Sequence, residues 1–482
     1  MTDILIGLDT GISNKIGNNA QSVCANEIWQ ALSLKQPVIL QDGAQFGSCF
    51  AVSELAACSI GAVASAITNL KKETNLSKSI ETATVDQRLA NLWFQQSIYP
   101  IDWELPPIWD TIAGDYQTKD GWIKLHTNLE RHRAAALSAL GVANNRNDVE
   151  VAIKHWQTNE LETAIVSEGG VAAAMRSQQQ WQQHAQGKAV ASEPLIHWGK
   201  SSSAKFDFAP SSPTQPLRGL RVLDLTRVLA GPVATRTLAG LGADVLRIDP
   251  PGWDEPFVVP DITLGKRCAY LDLNNSKDRD QFEELLENAH ILIHGYRPGA
   301  LDNLDYDQNT RQKISPSLIE LSLSAYGWSG PWAKRRGFDS LVQMSSGIAD
   351  AGMYAYKQNK PTPLPVQALD HATGYLLAAA AIRLLTNALS GKGLGYAKLS
   401  LARTAELLKN STQTKNNPQA LNGLHKKTPT KADFQTHQEQ TPWGKANRLR
   451  SPFTIQGTEI IWNYPANKLG TSSAQWSKNQ GY

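Results

Sequence analysis

Asp370 lies in Leu364–Gly374 (LPVQALDHATG), directly before the apolar helical run Tyr375–Leu389. An Asp at such a place serves in one of two ways. As a helix cap, its carboxylate accepts a free backbone N–H. As a nucleophile, it attacks an acyl carbon, and the amides at the helix start can stabilise the oxyanion that forms. His371 adjoins it, but successive helical residues face different ways, so the two do not pair. Two basic loops are candidates for an anionic ligand. Gly265–Leu273 (GKRCAYLDL) sets Lys266 and Arg267 before a strand, where they meet a phosphate or form a solvated loop. Gly295–Gly299 (GYRPG) follows the strand HILIH; there Arg297 can clamp a phosphate and Tyr296 can stack on a base, although a plain turn fits equally well. The strand–loop–helix Val222–Leu241 (VLDLTRVLAGPVATRTLAGL) is followed by a strand ending in Asp249. It has one glycine of the G-x-G-x-x-G pattern, and Pro232 lacks the N–H of a phosphate cradle. A nicotinamide enzyme is disfavoured, whereas a nucleotide lying against this turn is compatible. Gly391–Leu401 (GKGLGYAKLSL) most simply ends a helix and turns into a strand.

No HExxH and no Cys/His cluster at zinc spacing occurs, so no metal is expected. Cys24, Cys49, Cys58 and Cys268 are scattered and read as small buried residues in a reducing compartment. Hydrophobic residues at 41% and charged residues at 19% give a globular profile. A net charge of +3 offers little to nucleic acid or a membrane surface. No continuous run of about 18 apolar residues is found, so no bilayer span is expected. The opening MTDILIGLDTGISNK lacks the basic start and long apolar stretch of a signal peptide, which leads to the expectation of a cytoplasmic protein.

The elements that must position these residues fall into an α/β pattern. Strands are expected at Arg221–Leu225, Ala243–Ile248, Cys268–Leu273, His290–His294 and Leu318–Ser324, with helices at Ala234–Leu241 and Asp278–Asn288. That alternation implies a parallel sheet with helices on both faces and a ligand at the carboxyl ends of the strands. Ahead of it, Ala51–Leu70 reads as a buried helix and Asp115–Thr127 as a hairpin about the Asp120-Gly121 turn. Helical patterns follow at Leu129–Leu140, Val149–Val166 and Gly170–His184. Val52–Leu70 echoes Leu369–Leu389 in texture and in its closing Thr-Asn. Composition divides the chain into an N-terminal helical segment (1–80), a smaller α+β domain (81–198), a Ser/Pro-rich linker (199–215), a large domain (216–408), a polar loop (409–440) and a C-terminal segment (441–482).

Six ordered segments over about 190 residues resemble the family III CoA-transferases of the carnitine/bile-acid type. They are PLRGLRVLDLTRVLAGPVATRTLAGLGADVLRID, GKRCAYLDL, NAHILIHGYRPGALDNL, SPSLIELSLSAYGWSGPWAKRRGFDSLVQMSSGIAD, ALDHATGYLLAAAAIRLL and GKGLGYAKLSLARTAELL. The resemblance implies a Rossmann-like CoA-binding domain joined to a smaller α+β domain, usually in an interlocked homodimer. It implies CoA transfer from an acyl-CoA to a carboxylic acid, with Asp370 passing through a mixed anhydride and an aspartyl-CoA thioester, and no prosthetic group. CoA contacts would come from Val228, Leu229 and Ala230, from Leu271, Asp272 and Leu273, and from Tyr296 and Arg297, with Lys266 and Arg267 near its phosphates. Related α-methylacyl-CoA racemases add a histidine where this chain has Phe338, and Phe cannot move a proton. Gly295 stands where many members have Asn. The element order is also unusual, because DYQTKDGWIKLHTNLERHRAAALSALGV resembles the opening of the small domain yet precedes the large one. A rearranged or partly duplicated fusion gives this order, and then the chain can complete its fold within one subunit. A racemase-like isomerase and a degenerate CoA-binding homologue are the alternatives.

Overall fold

The structure is a computed structural model and describes residues 4–6, 22–79, 81–202, 204–411 and 428–477. Residues 1–3 and 7–21 of the N-terminal segment and residues 412–427 of the polar stretch therefore lie outside the described residues. Its centre is a seven-stranded sheet: β1 (His197–Lys200), β2 (Arg221–Leu225), β3 (Asp244–Asp249), β4 (Lys266–Tyr270), β5 (Ile291–His294), β6 (Ile319–Ser324) and β7 (Gly395–Ser400). The spatial order is β4-β3-β2-β5-β6-β7-β1. Strands β2 to β7 run parallel, and β1 closes the edge antiparallel to β7. The chain winds outward from β2 in one direction and from β5 in the other, so a crevice opens at their carboxyl ends.

Successive strand residues point to opposite faces, and both faces are apolar. Val222, Val245, Ile291, Ile293 and Leu321 share the larger core, while Leu223, Leu246, Ile248 and Leu292 share the other with Phe282, Leu285 and Leu286. The helices that matter are α1 (Val52–Glu73), α2 (Glu130–Leu140), α3 (Ala230–Gly240), α4 (Ser276–Glu287), α5 (Asp339–Ser345) and α6 (Ala368–Leu389). Helix α4 covers one face of the sheet through Phe282, Leu285 and Leu286. On the other face α6 packs against α3, β7 and β6 and, on its far side, against α1. Helix α1 in turn meets a four-stranded sheet ordered Ile4–Ile6, Val38–Gln41, Ala83–Asp86, Phe453–Ile455. This explains why α1 and α6 carry small apolar residues on nearly every side. The expectation of no span-length apolar segment needs correction here. Averaged over 18 residues, both helices are apolar enough to cross a membrane by length and composition, and most of each such window is buried inside the protein.

The hairpin about Asp120-Gly121 forms as expected, with Gly114–Gln117 antiparallel to Trp122–Leu125. Two expected helices do not form as read. Val149–Val166 breaks into Arg146–Ile153 and Thr158–Ser167. The second starts where Asp120 accepts hydrogen bonds from the Thr158 amide (2.8 Å) and hydroxyl (2.6 Å). Within Gly170–His184, Ala172–Ala174 is a buried third strand on Trp122–Leu125, and only Gln178–Gln183 is helical. Alanine prefers helix, but pairing to an open sheet edge overrides that preference. Gly199 and Lys200, at the head of the expected linker, belong to β1, and Phe206 and Phe208 beyond them pack beside His290.

Candidate active site

Asp370 is the third residue of α6, inside the first turn and not ahead of it. The helix has no cap from its own chain neighbour Gln367. Asp339, the first residue of α5, caps it from outside. Its Oδ2 accepts the Asp370 amide at 2.9 Å, and the carboxylate also takes the Leu369 amide. The Ala368 amide goes to Val366 O (2.8 Å) and the His371 amide to Gln367 O (3.1 Å). Every amide of the first turn is thus engaged, so the expected use of these groups as oxyanion donors does not hold. Asp370's own carboxylate accepts no hydrogen bond from any described residue. It lies 6% exposed at the floor of a cleft of about 350 Å³. Burial and the nearby Asp339 charge push its pKa well up, and burial holds Asp339 at about 6.

One wall of the cleft is the crevice between β2 and β5, with Leu225, Thr226, Arg227, Val228, Ala230, Gly295, Tyr296 and Arg297. Val228 adopts a left-handed φ of 64°, which is costly for a β-branched residue. Its amide is held by Glu255 Oε1 at 2.9 Å, and Glu255 pairs with the buried Arg247 at 3.0 Å. The guanidinium of Arg227 sits 4.1 Å from the Trp253 ring centre and donates to the Tyr296 hydroxyl at 3.2 Å. Helix α6 approaches α3 here at Gly374, where a Cβ would stand 2.4 Å from Ala230 O. Val228, Ala230, Tyr296 and Arg297 thus line the cleft as expected, while Leu229 caps α3 half-buried beside it.

The other expected ligand residues are placed differently. Lys266 is wholly buried on β4, its Nζ 3.0 Å from both Asp224 Oδ2 and Pro232 O. Burial lowers its pKa to about 8 although Asp224 opposes that fall. Arg267 is paired to Asp244 at 2.9 Å. Leu271, Asp272 and Leu273 follow the edge strand β4, two strands from the crevice, with both leucines buried in the core. A solvated or phosphate-facing loop is corrected at Lys266: an ammonium this deep persists only because a carboxylate and a carbonyl surround it.

The facing wall comes from the N-terminal half and from the segment before α5. It comprises Leu129, Arg131 and His132 at the start of α2, with Arg335, Arg336 and Phe338. Phe338 stacks on His126, ring centres 3.9 Å apart and 7° from parallel, and meets His132 edge-on at 6.0 Å. Arg335 is committed to Glu162 at 3.0 Å. Arg131, Arg297 and Arg336 have no carboxylate partner among the described residues. Burial comes first in lowering the pKa of Arg131 and Arg336; repulsion from Arg227 and Arg297 adds to it at Arg131, and from Arg297 and Arg131 at Arg336. The wall was not foreseen in the sequence beyond Phe338. The signal was the cluster Arg131-His132-Arg133 at a helix start, which is unremarkable until the fold brings it over Asp370.

Residues 217–440 match the sequence model of CoA-transferase family III. The acetyl-CoA:oxalate CoA-transferase of Acetobacter aceti is 33% identical over 198 residues, covering 38% of this chain and 50% of that protein. The succinyl-CoA:glutarate CoA-transferase of Mus musculus is 33% identical over 195 residues, covering 37% and 44%. A CAIB/BAIF family protein from Brucella suis is 29% identical, with 41% of this chain and 56% of that one covered at a TM-score of 0.37. The chain spans half or less of the length of the curated relatives named here. The similarity to CoA-transferase family III thus extends over residues 217–440 of this chain.

Proposed function

We propose that this chain transfers CoA from an acyl-CoA thioester to a carboxylic acid, with Asp370 as the nucleophile and without a prosthetic group. Asp370 attacks the thioester carbonyl, the C–S bond breaks, and CoA leaves as its thiolate from a mixed anhydride. The thiolate then attacks the Asp370 carbonyl of that anhydride, expelling the donor acid and leaving an aspartyl-CoA thioester. An incoming carboxylate attacks this thioester and releases the thiolate, which takes the new acyl group from the second anhydride and frees Asp370. Each bond made is matched by one broken, and no proton or electron is gained overall.

The observation that carries the reading is the state of Asp370: a carboxylate at a cleft floor, unused as a cap because Asp339 caps its helix. A degenerate homologue would need that carboxylate only for the capping that Asp339 already performs. The unpaired Arg131, Arg297 and Arg336 supply a field for anionic substrates, and the relatives named for oxalate and glutarate support a carboxylic acid partner. Isomerisation is disfavoured because Phe338 offers a stacked ring where a base is needed. A reducing cytoplasm fits four free thiols. The test is exchange of CoA between labelled acyl-CoAs and a panel of acids. Wild type should exchange without placing deuterium at the acyl α-carbon, and Asp370→Ala should fall to background. Deuterium uptake without an acid partner would support the isomerase instead.

A further inference from the structure

The proposed chemistry makes a negatively charged oxygen on the carbonyl that Asp370 attacks, and the amides nearest to it are all engaged. Several other cleft donors are occupied as well. The Val228 amide goes to Glu255, the Thr226 hydroxyl to Asp224 and the Ser324 hydroxyl to Gly327 O, while the Tyr296 hydroxyl oxygen accepts from Arg227. Among the neutral side chains of the cleft, His132 stands apart because both of its polar atoms are unmet. It is 1% exposed, it lines the cleft, and neither Nδ1 nor Nε2 has a hydrogen-bond partner. A buried polar ring left without partners is costly, about 1–3 kcal/mol for an unmet group. Such a cost is maintained where a ligand supplies the missing bond.

We infer that His132, reaching the cleft from α2, donates the hydrogen bond that stabilises the oxyanion formed when Asp370 attacks its acyl substrate. This rests on the transferase reading and assigns a catalytic donor that the Asp370 motif itself does not contain. The surroundings select a donor over a base. Burial, then Arg131, Arg336 and Arg297, hold the imidazole neutral with a pKa of about 4. Taking up a proton beside three guanidinium groups is unfavourable, whereas an N–H pointing into the same positive field suits a developing oxyanion. Phe338 fixes the ring edge-on at 6.0 Å, which limits the positions its N–H can reach.

The test is a set of His132 variants in the intact chain, assayed for CoA exchange and thermal unfolding. Loss of an oxyanion donor predicts that His132→Ala lowers kcat on the order of 10²-fold while KM for acyl-CoA stays within about twofold. His132→Gln, which keeps an N–H donor, should recover at least about a tenth of the wild-type rate. His132→Leu should be as slow as the alanine variant yet melt no lower than wild type, because it removes an unmet polar group. The inference is overturned if His132→Ala exchanges CoA at the wild-type rate, if Gln rescues no better than Leu, or if His132 proves to move deuterium onto the α-carbon. A wild-type chain with no exchange at all overturns the transferase reading first, and this inference with it.

Discussion

Asp370 and Asp339 are two buried carboxyls on adjoining helix starts; burial raises both pKa values, the Asp339 charge raises that of Asp370 further, and these shifts give the site its pH behaviour. Attack requires the Asp370 carboxylate, whose pKa is raised, so activity should climb with pH through that value. Asp339→Asn keeps an oxygen to cap the Asp370 amide but removes the like charge, which lowers the Asp370 pKa. The acid limb of kcat/KM should therefore move to lower pH, as a pH–rate profile would reveal. The same shifts set stability. Between the unfolded value of about 3.9 and the raised folded values, the native state holds the extra protons. Stability is fully present below that window and is lost as pH rises through it, to about 6 in the case of Asp339. Asp370→Asn should accordingly melt higher than wild type near neutral pH while losing exchange. Lys266 makes the opposite case. Lys266→Ala strands the buried Asp224 and should cost about 3–5 kcal/mol in urea unfolding, with KM for acyl-CoA unchanged. Asp370 was legible through the ordered family-like segments around it, since by its own position an Asp at a helix start reads first as a cap. Lys266 was misread because a letter does not carry depth, and Asp224 lies 42 positions away.

At the scale of elements, α6 must run close to α3 for Asp370 to face the Val228–Ala230 turn. Gly374 permits it, since any Cβ there would meet Ala230 O at 2.4 Å and Val233 Cβ at 2.8 Å. Gly374→Ala should destabilise the chain by about 1–3 kcal/mol through overpacking. It should also raise KM for acyl-CoA, because the turn that lines the cleft moves with α3. Urea titration and steady-state kinetics on the one variant check both. Strands β2 to β6 of the central sheet were readable to within two or three residues, because each is a short apolar run bounded by turn residues, whereas β1, polar and partly exposed, was read in part as the head of a linker. Val149–Val166 and Gly170–His184 were not. Their helix breaks and the Ala172–Ala174 strand depend on Asp120 and on the edge of Trp122–Leu125, neither of which is local in sequence.

For the whole molecule, the cleft draws one wall from residues 225–300 and the other from residues 129–132 and 333–338 of the same chain. A site with both walls in one chain predicts that specific activity stays constant on dilution, even through any dissociation followed by analytical ultracentrifugation. A fall in activity with dissociation would show that a second subunit is needed. The sequence led to the expectation of a small-domain-like stretch ahead of the large one. What it could not convey was contact: that α1 and α6, read only as echoes of each other, pack together, or that His132 and Phe338, 206 positions apart by their numbering, touch. The central claim is a covalent bond to Asp370, and hydroxylamine added during turnover with acyl-CoA tests it most directly. Peptide mass mapping should find a hydroxamate on Asp370, formed only when acyl-CoA is present. Undiminished turnover with Asp370 unmodified would contradict the account.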